Sequence, residues 1–161
     1  VEPDLMTLAK SLGGGVPIGA LVVNNKVSNA LTPGTHASTF GGNPLVAAAG
    51  LAVFQTIKED RLLDNARKTG DYLRQNLEQL REKYPDIISD IRGLGVMLGM
   101  ECRRNAPEIT AKALEKGLYI NCTQGNTLRI VPAITVGKKL IDKAVSILDA
   151  AIDETIMEKD A

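Results

Sequence analysis

The chain has 161 residues, of which 44% are apolar and 24% charged, a composition typical of a folded protein with one domain or parts of two. Nineteen basic residues balance nineteen acidic ones, so no excess of positive charge favours nucleic acid or an anionic membrane surface. The apolar runs are too short to cross a bilayer, and the first residues do not resemble a secretory signal.

Few residues of this chain suit a metal site or a disulfide. His36 is the single histidine, and Cys102 and Cys122 are twenty residues apart, a spacing that fits no zinc or thioredoxin-like motif. We expect both cysteines to be reduced, small apolar residues without a reactive role. The sequence therefore predicts a cytoplasmic protein without a metal, a nucleic-acid partner or a membrane partner.

The first forty residues predict two neighbouring strands and a long loop. Leu5 to Ala9 is a short apolar segment that ends at Lys10 and three glycines, and Ile18 to Val23 follows a Gly/Pro loop. The segment 24–31 has room for one or two helical turns. Residues 32–44, with the sequence TPGTHASTFGGNP, are turn formers and predict a loop.

Two helices are predicted after this loop. Pro44 suits the first turn of a helix capped by Asn43. The second helix should run from about Asp60 to Tyr84, where Pro85 ends it. Its apolar stripe contains Leu63, Ala66, Gly70, Leu73, Leu77 and Leu80.

The rest of the chain alternates between strands and helices. Strands are predicted at 87–93, 96–102, 118–121 and 127–131, with a helix from Pro107 to Lys116 between the second and third. The last helix should run from about Lys138 to Ile156, with an apolar face of Ile141, Val145, Leu148, Ile152 and Ile156. This alternation indicates an α/β or α+β fold. We expect residues 1–57 to end a larger domain and residues 58–161 to form a small compact one.

Lys10 lies where open α/β sheets bind ligands, at a strand end beside a glycine loop. An amine that is partly withdrawn from water there becomes nucleophilic and can form a Schiff base with a carbonyl compound. The alternative is a solvated surface lysine beside glycines that serve only the turn. Spacing alone favours this alternative, because most lysines are solvated.

The loop before Asn43 is the second candidate. Thr35, Ser38 and Thr39 supply hydroxyl groups just before a helix N-terminus, a place that suits a phosphate. An ordinary turn before an Asn-capped helix explains the same residues equally well. An amine and a phosphate loop about thirty residues apart would together suit pyridoxal phosphate.

Three segments resemble, in the same order, the subgroup III (ornithine-type) pyridoxal-phosphate aminotransferases. The segment PDLMTLAKSLGGGVPIGAL resembles the family's cofactor-lysine segment, and GTHASTFGGNPLVAAAGLAV resembles the loop and helix that follow it. The segment NTLRIVPAITV resembles the family's C-terminal arginine strand. The resemblance covers essentially the whole chain. It implies fold type I, with residues 1–57 as the end of the large cofactor-binding domain and 58–161 as the small α+β C-terminal domain.

The resemblance also implies roles for individual residues. Lys10 would hold the cofactor and move the proton during transfer, and Thr39 would reach the cofactor phosphate in the neighbouring subunit of a homodimer. Arg129 would pair with a substrate carboxylate, or else be an ordinary strand arginine in a surface ion pair. His36 and Asn43 fall within the motifs, but we assign them loop structure.

The implied activity is transfer of an amino group between an amino acid and a 2-oxo acid. The short C-terminal segment is most similar to the branch of the family that acts on N-acetylornithine and 2-oxoglutarate in arginine biosynthesis. The alternatives are a member that acts on ornithine, 4-aminobutyrate or succinylornithine, and a non-catalytic domain that keeps the fold for assembly. Because the family's other cofactor groups lie upstream of these segments, we expect a C-terminal fragment that is inactive alone.

Overall fold

A computed structural model of the chain describes residues 1–158. The chain folds as two compact units, Val1–Arg61 and a second unit that begins at Leu62. None of the helices in the described part of the chain is both long and apolar enough to span a membrane.

The first unit contains one antiparallel strand pair and one long helix. Strands β1 (Leu5–Leu8) and β2 (Ala20–Val23) pair with Leu5 opposite Val23. A 3-10 turn, Lys10–Gly13, follows β1, and a second short one occupies Ser28–Ala30. Helix α1 (Pro44–Glu59) contacts the first 3-10 turn, and its buried residues are Val46 and Gly50.

In the described residues 62–158, the second unit is a four-stranded antiparallel sheet with three helices. Its helices are α2 (Leu62–Lys83), α3 (Ala106–Glu115) and α4 (Lys138–Met157). Its strands are β3 (Ile88–Leu94), β4 (Met97–Cys102), β5 (Asn121–Thr123) and β6 (Thr127–Ile130), in the order β3-β4-β6-β5.

The hydrophobic core of the second unit lies between the helices and one face of the sheet. Met100 and Leu128 from the strands, and Leu77, Ile109 and Ile152 from the helices, are completely buried. Each such side chain contributes about 1.5–3 kcal/mol by leaving water. The other face of the sheet carries Arg92, Glu101 and Arg129, together with the exposed apolar residues Leu94 and Met97 next to the β3–β4 turn. Buried and exposed positions alternate along the strands, as the strand period of two requires.

Two details of the predicted elements were wrong. Leu62 is buried and Leu63 is 57% exposed, because the buried positions of α2 follow the phase of Leu73, Leu77 and Leu80. The strand predicted at 118–121 lies at Asn121–Thr123 instead. The backbone N–H of Leu118 donates to the carbonyl of Ala113 (2.8 Å), which binds this segment to the end of α3 and keeps it out of the sheet.

Candidate active site

Lys10 has a strained backbone. Strand β1 ends at Leu8, Ala9 is extended, and Lys10 begins the 3-10 turn with a φ of 58°. This left-handed conformation is uncommon for a residue with a Cβ atom. Its cost is on the order of 1–3 kcal/mol, and such residues cluster at functional sites. Arg61, Asn105 and Gln124 share this conformation, so the strain supports a role for Lys10 only together with its place at the strand end.

Close packing fixes the turn that carries Lys10. A Cβ atom at Gly13 would lie 2.8 Å from Cγ2 of Ile18, and one at Gly50 of α1 would lie 3.7 Å from the carbonyl oxygen of Leu12. Glycine at position 13 therefore lets the loop approach the turn, whereas the distance at Gly50 is an ordinary van der Waals contact. The Lys10 side chain is exposed, and its amine has no hydrogen-bond or ion-pair partner among residues 1–158.

The loop of residues 32–42 leaves one of its three candidate hydroxyls uncommitted. The Thr35 hydroxyl donates to the carbonyl of Thr32 (2.6 Å). The Ser38 hydroxyl oxygen accepts from the backbone N–H of Gly41 (3.0 Å). The Thr39 hydroxyl is exposed and has no such partner in the described chain. Of the three, Thr39 is therefore the one most available to a ligand.

Asn43 connects this loop to α1. Its side-chain oxygen accepts from the backbone N–H of Val46 (3.2 Å), and its amide nitrogen donates to the carbonyl of Phe40 (2.7 Å). Asn43 therefore caps α1, as the sequence predicted, and fixes the end of the loop that carries Thr39. Because the cap occupies one N–H group of the helix start, an anion bound there would depend more on Thr39.

The Gly/Pro loop that follows Lys10 and the loop of residues 32–42 line a common hollow of about 410 Å³. Pro17, Ile18 and Gly19 form one side, and His36, Ser38, Phe40, Gly41, Gly42 and Val46 form the other. Lys10 and Thr39 flank these segments but do not line the hollow. His36 was expected to have only loop structure, since nothing in the sequence alone indicates that it faces the Gly/Pro loop.

Arg129 lies on the outer face of the sheet in the second unit. It is exposed on β6, directly opposite Gly99 of β4 and Asn121 of β5. No residue within 1–158 bonds to its guanidinium. The surface ion pair that the alternative interpretation required is therefore not formed, and the guanidinium is available for a carboxylate.

The two cysteines are free thiols of different exposure. Cys102 is buried and Cys122 is half-buried. Burial, with smaller contributions from Cys122 and Glu101, raises the pKa of Cys102 to about 12. Within residues 1–158, no three histidine, cysteine, aspartate or glutamate residues come together as a metal site would require.

Comparison with known proteins gives a consistent family. The sequence profile of the class-III aminotransferases matches residues 1–152. The chain is 49% identical over 155 residues to the acetylornithine aminotransferase of Caldanaerobacter subterraneus, and 47% identical over 154 residues to that of Methanocaldococcus jannaschii. These alignments cover 96% of this chain but 39% and 38% of the relatives, so the chain spans about two fifths of their length.

Solved structures agree in fold. The acetylornithine aminotransferase of Elizabethkingia anophelis superposes with a TM-score of 0.88 at 32% identity, over 96% of this chain and 42% of that one. An ornithine aminotransferase of Toxoplasma gondii gives 0.91 at 31% identity, over 100% of this chain and 39% of that one. The fold type I prediction is thereby confirmed. The chain belongs to the class-III aminotransferase family.

Proposed function

We propose that the protein containing this chain transfers an amino group between N-acetylornithine and 2-oxoglutarate, with pyridoxal phosphate as cofactor, in arginine biosynthesis. Relatives named acetylornithine aminotransferase, at 42–49% identity, support the substrate. One structural observation carries the proposal: Lys10, Thr39 and Arg129 all present exposed polar groups without partners among residues 1–158. A non-catalytic domain would have no need to keep all three groups unpaired.

The residues present fit the cofactor. Lys10, with its free amine on a strained turn, would hold the carbonyl carbon of pyridoxal phosphate. The Thr39 hydroxyl would donate to the phosphate of the cofactor held by the neighbouring subunit. When bound, the cofactor supplies an electron sink for the electrons left at the substrate Cα. When it no longer holds the cofactor, Lys10 Nζ would act as a general base and take the proton from the substrate Cα.

Arg129 would orient the substrate. A guanidinium binds a carboxylate through two parallel hydrogen bonds, which fixes both the position and the rotation of the bound molecule. Holding a substrate in one orientation removes much of the entropic cost of reaction. Residues 1–57 would then be the end of the large cofactor-binding domain, and residues 58–161 the small domain.

We further propose a homodimer in which Thr39 of one subunit serves the cofactor of the other. Phe40, next to Thr39, is 81% exposed and Leu45, at the start of α1, is 75% exposed. Exposed apolar residues beside a functional loop are typical of an interface. A cytoplasmic location agrees with the two free thiols, although the Saccharomyces cerevisiae relative is named mitochondrial.

The test is a substrate panel on the full-length protein. With 2-oxoglutarate as acceptor, kcat/KM should be highest for N-acetylornithine among N-acetylornithine, ornithine, 4-aminobutyrate and succinylornithine. Lys10→Ala should lower kcat by about 10³-fold or more, since it removes both the cofactor attachment and the base. Lys58→Ala, at an exposed lysine of α1, serves as the control.

Two outcomes of the panel would count against the proposal. Unchanged transfer activity in Lys10→Ala would refute the enzymatic role of this chain. A higher kcat/KM for ornithine, 4-aminobutyrate or succinylornithine would leave the aminotransferase activity intact but refute N-acetylornithine as the preferred substrate.

A further inference from the structure

Four strands each place one residue in a row across the outer face of the second unit's sheet. Arg92 of β3 lies opposite Gly99 of β4, Gly99 lies opposite Arg129 of β6, and Arg129 lies opposite Asn121 of β5. Residues paired directly across an antiparallel ladder point to the same face. Arg92 and Arg129 therefore share this face, two strand spacings or about 10 Å apart, with a glycine between them.

Two carboxylates lie in the neighbouring row. Asp90 of β3 pairs with Glu101 of β4, and Glu101 is two residues along the strand from Gly99. Glu101 is therefore a diagonal neighbour of Arg92 on one side and of Arg129 on the other, at a separation that long side chains can bridge. Asp90 is a strand further from Arg129, beyond Glu101.

The two arginines and two carboxylates named above do not pair one to one. The Arg92 guanidinium binds Glu101 and also donates to Asp90 (3.0 Å). These bonds, that to Glu101 first, raise the pKa of Arg92. Both carboxylates thus neutralise the same arginine, and Arg129 is left without a counter-ion among the described residues.

We propose that Arg92 is a positioning residue that holds Glu101 away from Arg129 and so keeps Arg129 free for a substrate carboxylate. The proposal rests on the proposed function, in which Arg129 binds that carboxylate. Without Arg92, the Glu101 carboxylate would turn to the other cation within its reach. An internal Glu101–Arg129 pair would then compete with every carboxylate substrate, because one guanidinium fork cannot bind both bidentately.

The test is steady-state kinetics of the full-length enzyme, with 2-oxoglutarate as the varied substrate. Arg92→Gln should raise KM by about tenfold, the scale of one charge-assisted pair, and change kcat less than about twofold. Arg92→Lys, which retains a cation for Glu101, should stay within about threefold of the wild-type KM. Arg92→Met keeps the aliphatic stem and repeats the test if the glutamine variant is unstable.

Double variants separate this role from a merely structural one. Adding Glu101→Gln to Arg92→Gln should restore KM to within about threefold of wild type, because the competing carboxylate is gone. Adding Asp90→Asn should not restore it, although Asp90 also bonds to Arg92, because Asp90 lies too far from Arg129.

Two results would contradict the role proposed for Arg92. An unchanged KM in Arg92→Gln, or no rescue by Glu101→Gln, would overturn the inference while leaving the role of Arg129 intact. Arg129→Gln separates a failure of this inference from a failure of the role proposed for Arg129. It should raise the KM for 2-oxoglutarate at least as much as Arg92→Gln does. An unchanged KM in Arg129→Gln would instead refute the role proposed for Arg129, and the inference with it.

Discussion

At the scale of single residues, what distinguishes the candidate site is what its side chains do not contact. Lys10 accepts a left-handed backbone without the glycine that usually relieves it, and its amine stays unpaired. Thr35 and Ser38, by contrast, use their hydroxyl groups to hold the loop in shape. Because the Thr39 hydroxyl has no such structural bond, removing it should affect ligand binding and not the shape of the loop.

Thr39→Val in the full-length protein should raise the Kd for pyridoxal phosphate by about tenfold or more, because a hydroxyl–phosphate hydrogen bond is charge-assisted. Thr39→Ser should stay near wild type, since it keeps the hydroxyl. Cofactor fluorescence titration would measure both. Thr35→Val is the matched control, and an effect there as large as at Thr39 would show that loop shape, not the Thr39 hydroxyl, matters.

Cys102 should make the free energy of unfolding fall at alkaline pH. Its pKa is about 12 in the folded chain against an ordinary value of 9.0, so above pH 9 the unfolded state loses a proton that the folded state keeps. The free energy of unfolding should therefore fall as pH rises, by about 1.4 kcal/mol from this group between pH 8 and pH 10.

Urea unfolding of wild type and Cys102→Ala at the two pH values would isolate the Cys102 contribution. The fall between pH 8 and pH 10 should be smaller in Cys102→Ala by about that amount. It should not vanish, because the pKa values of Tyr72, bonded to Asp142, and of buried Tyr84 are also raised. An identical fall in wild type and Cys102→Ala would contradict the burial argument.

At the scale of elements, the β3–β4 hairpin is fastened to α2 in two ways. Arg74 of α2 donates to the carbonyls of Ile91 (3.0 Å) and Gly93 (2.6 Å) at the end of β3. Gly70 of α2 lies against Gly95 in the turn of the hairpin, where a Cβ atom on Gly70 would collide with the Gly95 backbone. This hairpin carries Arg92, so α2 supports the outer face of the sheet from the opposite side.

Gly70→Ala should destabilise the second unit by about 1–3 kcal/mol in urea unfolding, because backbone atoms at Gly95 cannot move aside cheaply. Helix propensity alone predicts the opposite, a gain of about 1 kcal/mol from replacing a mid-helix glycine with alanine. Lys68→Ala, at an exposed position of the same helix, should change stability by less than about 0.5 kcal/mol. A stabilised Gly70→Ala variant would show that the helix and hairpin are not in close contact.

At the scale of the whole molecule, the two units differ in how they bury apolar surface. The large buried cluster belongs to the second unit, which has its own sheet and three helices. The first unit leaves several large apolar side chains exposed, among them Leu5, Met6, Leu21, Val22, Phe40, Leu45, Leu51 and Phe54. Under the proposed domain division and homodimer, the rest of the large domain and a second subunit would cover these side chains. The relatives are about two and a half times as long as this chain.

The sequence predicted the long elements well because their signals are local. Pro44 and Asn43 mark the start of α1, and the apolar periodicity of α4 places Ile141, Leu148 and Ile152 in the core. It misplaced β5, because the hydrogen bond from Leu118 to Ala113 is part of the local cap that ends α3 at Gly117, and the apolar pattern of 118–121 does not show that the cap extends into it.

Physical chemistry made Lys10 and the hydroxyls before α1 candidates, but it left an ordinary surface lysine and an ordinary turn as alternatives. The resemblance chose Thr39 among the hydroxyls and added Arg129. The strain at Lys10 and the unpaired Thr39 hydroxyl are visible only in the structure. The Arg92–Glu101 pair was missed altogether. It depends on the register between β3, β4 and β6, which a one-residue slip would destroy. The pattern of each strand shows which residues share a face but not which residues of neighbouring strands lie opposite one another.

The most direct test of the account is to locate the lysine that holds the cofactor. The active full-length protein would be loaded with pyridoxal phosphate, reduced with borohydride, digested and mapped by mass spectrometry. We predict modification at Lys10, and none in the Lys10→Ala variant. Modification of a different lysine in an enzyme that transfers amino groups at the normal rate would contradict the assignment of Lys10.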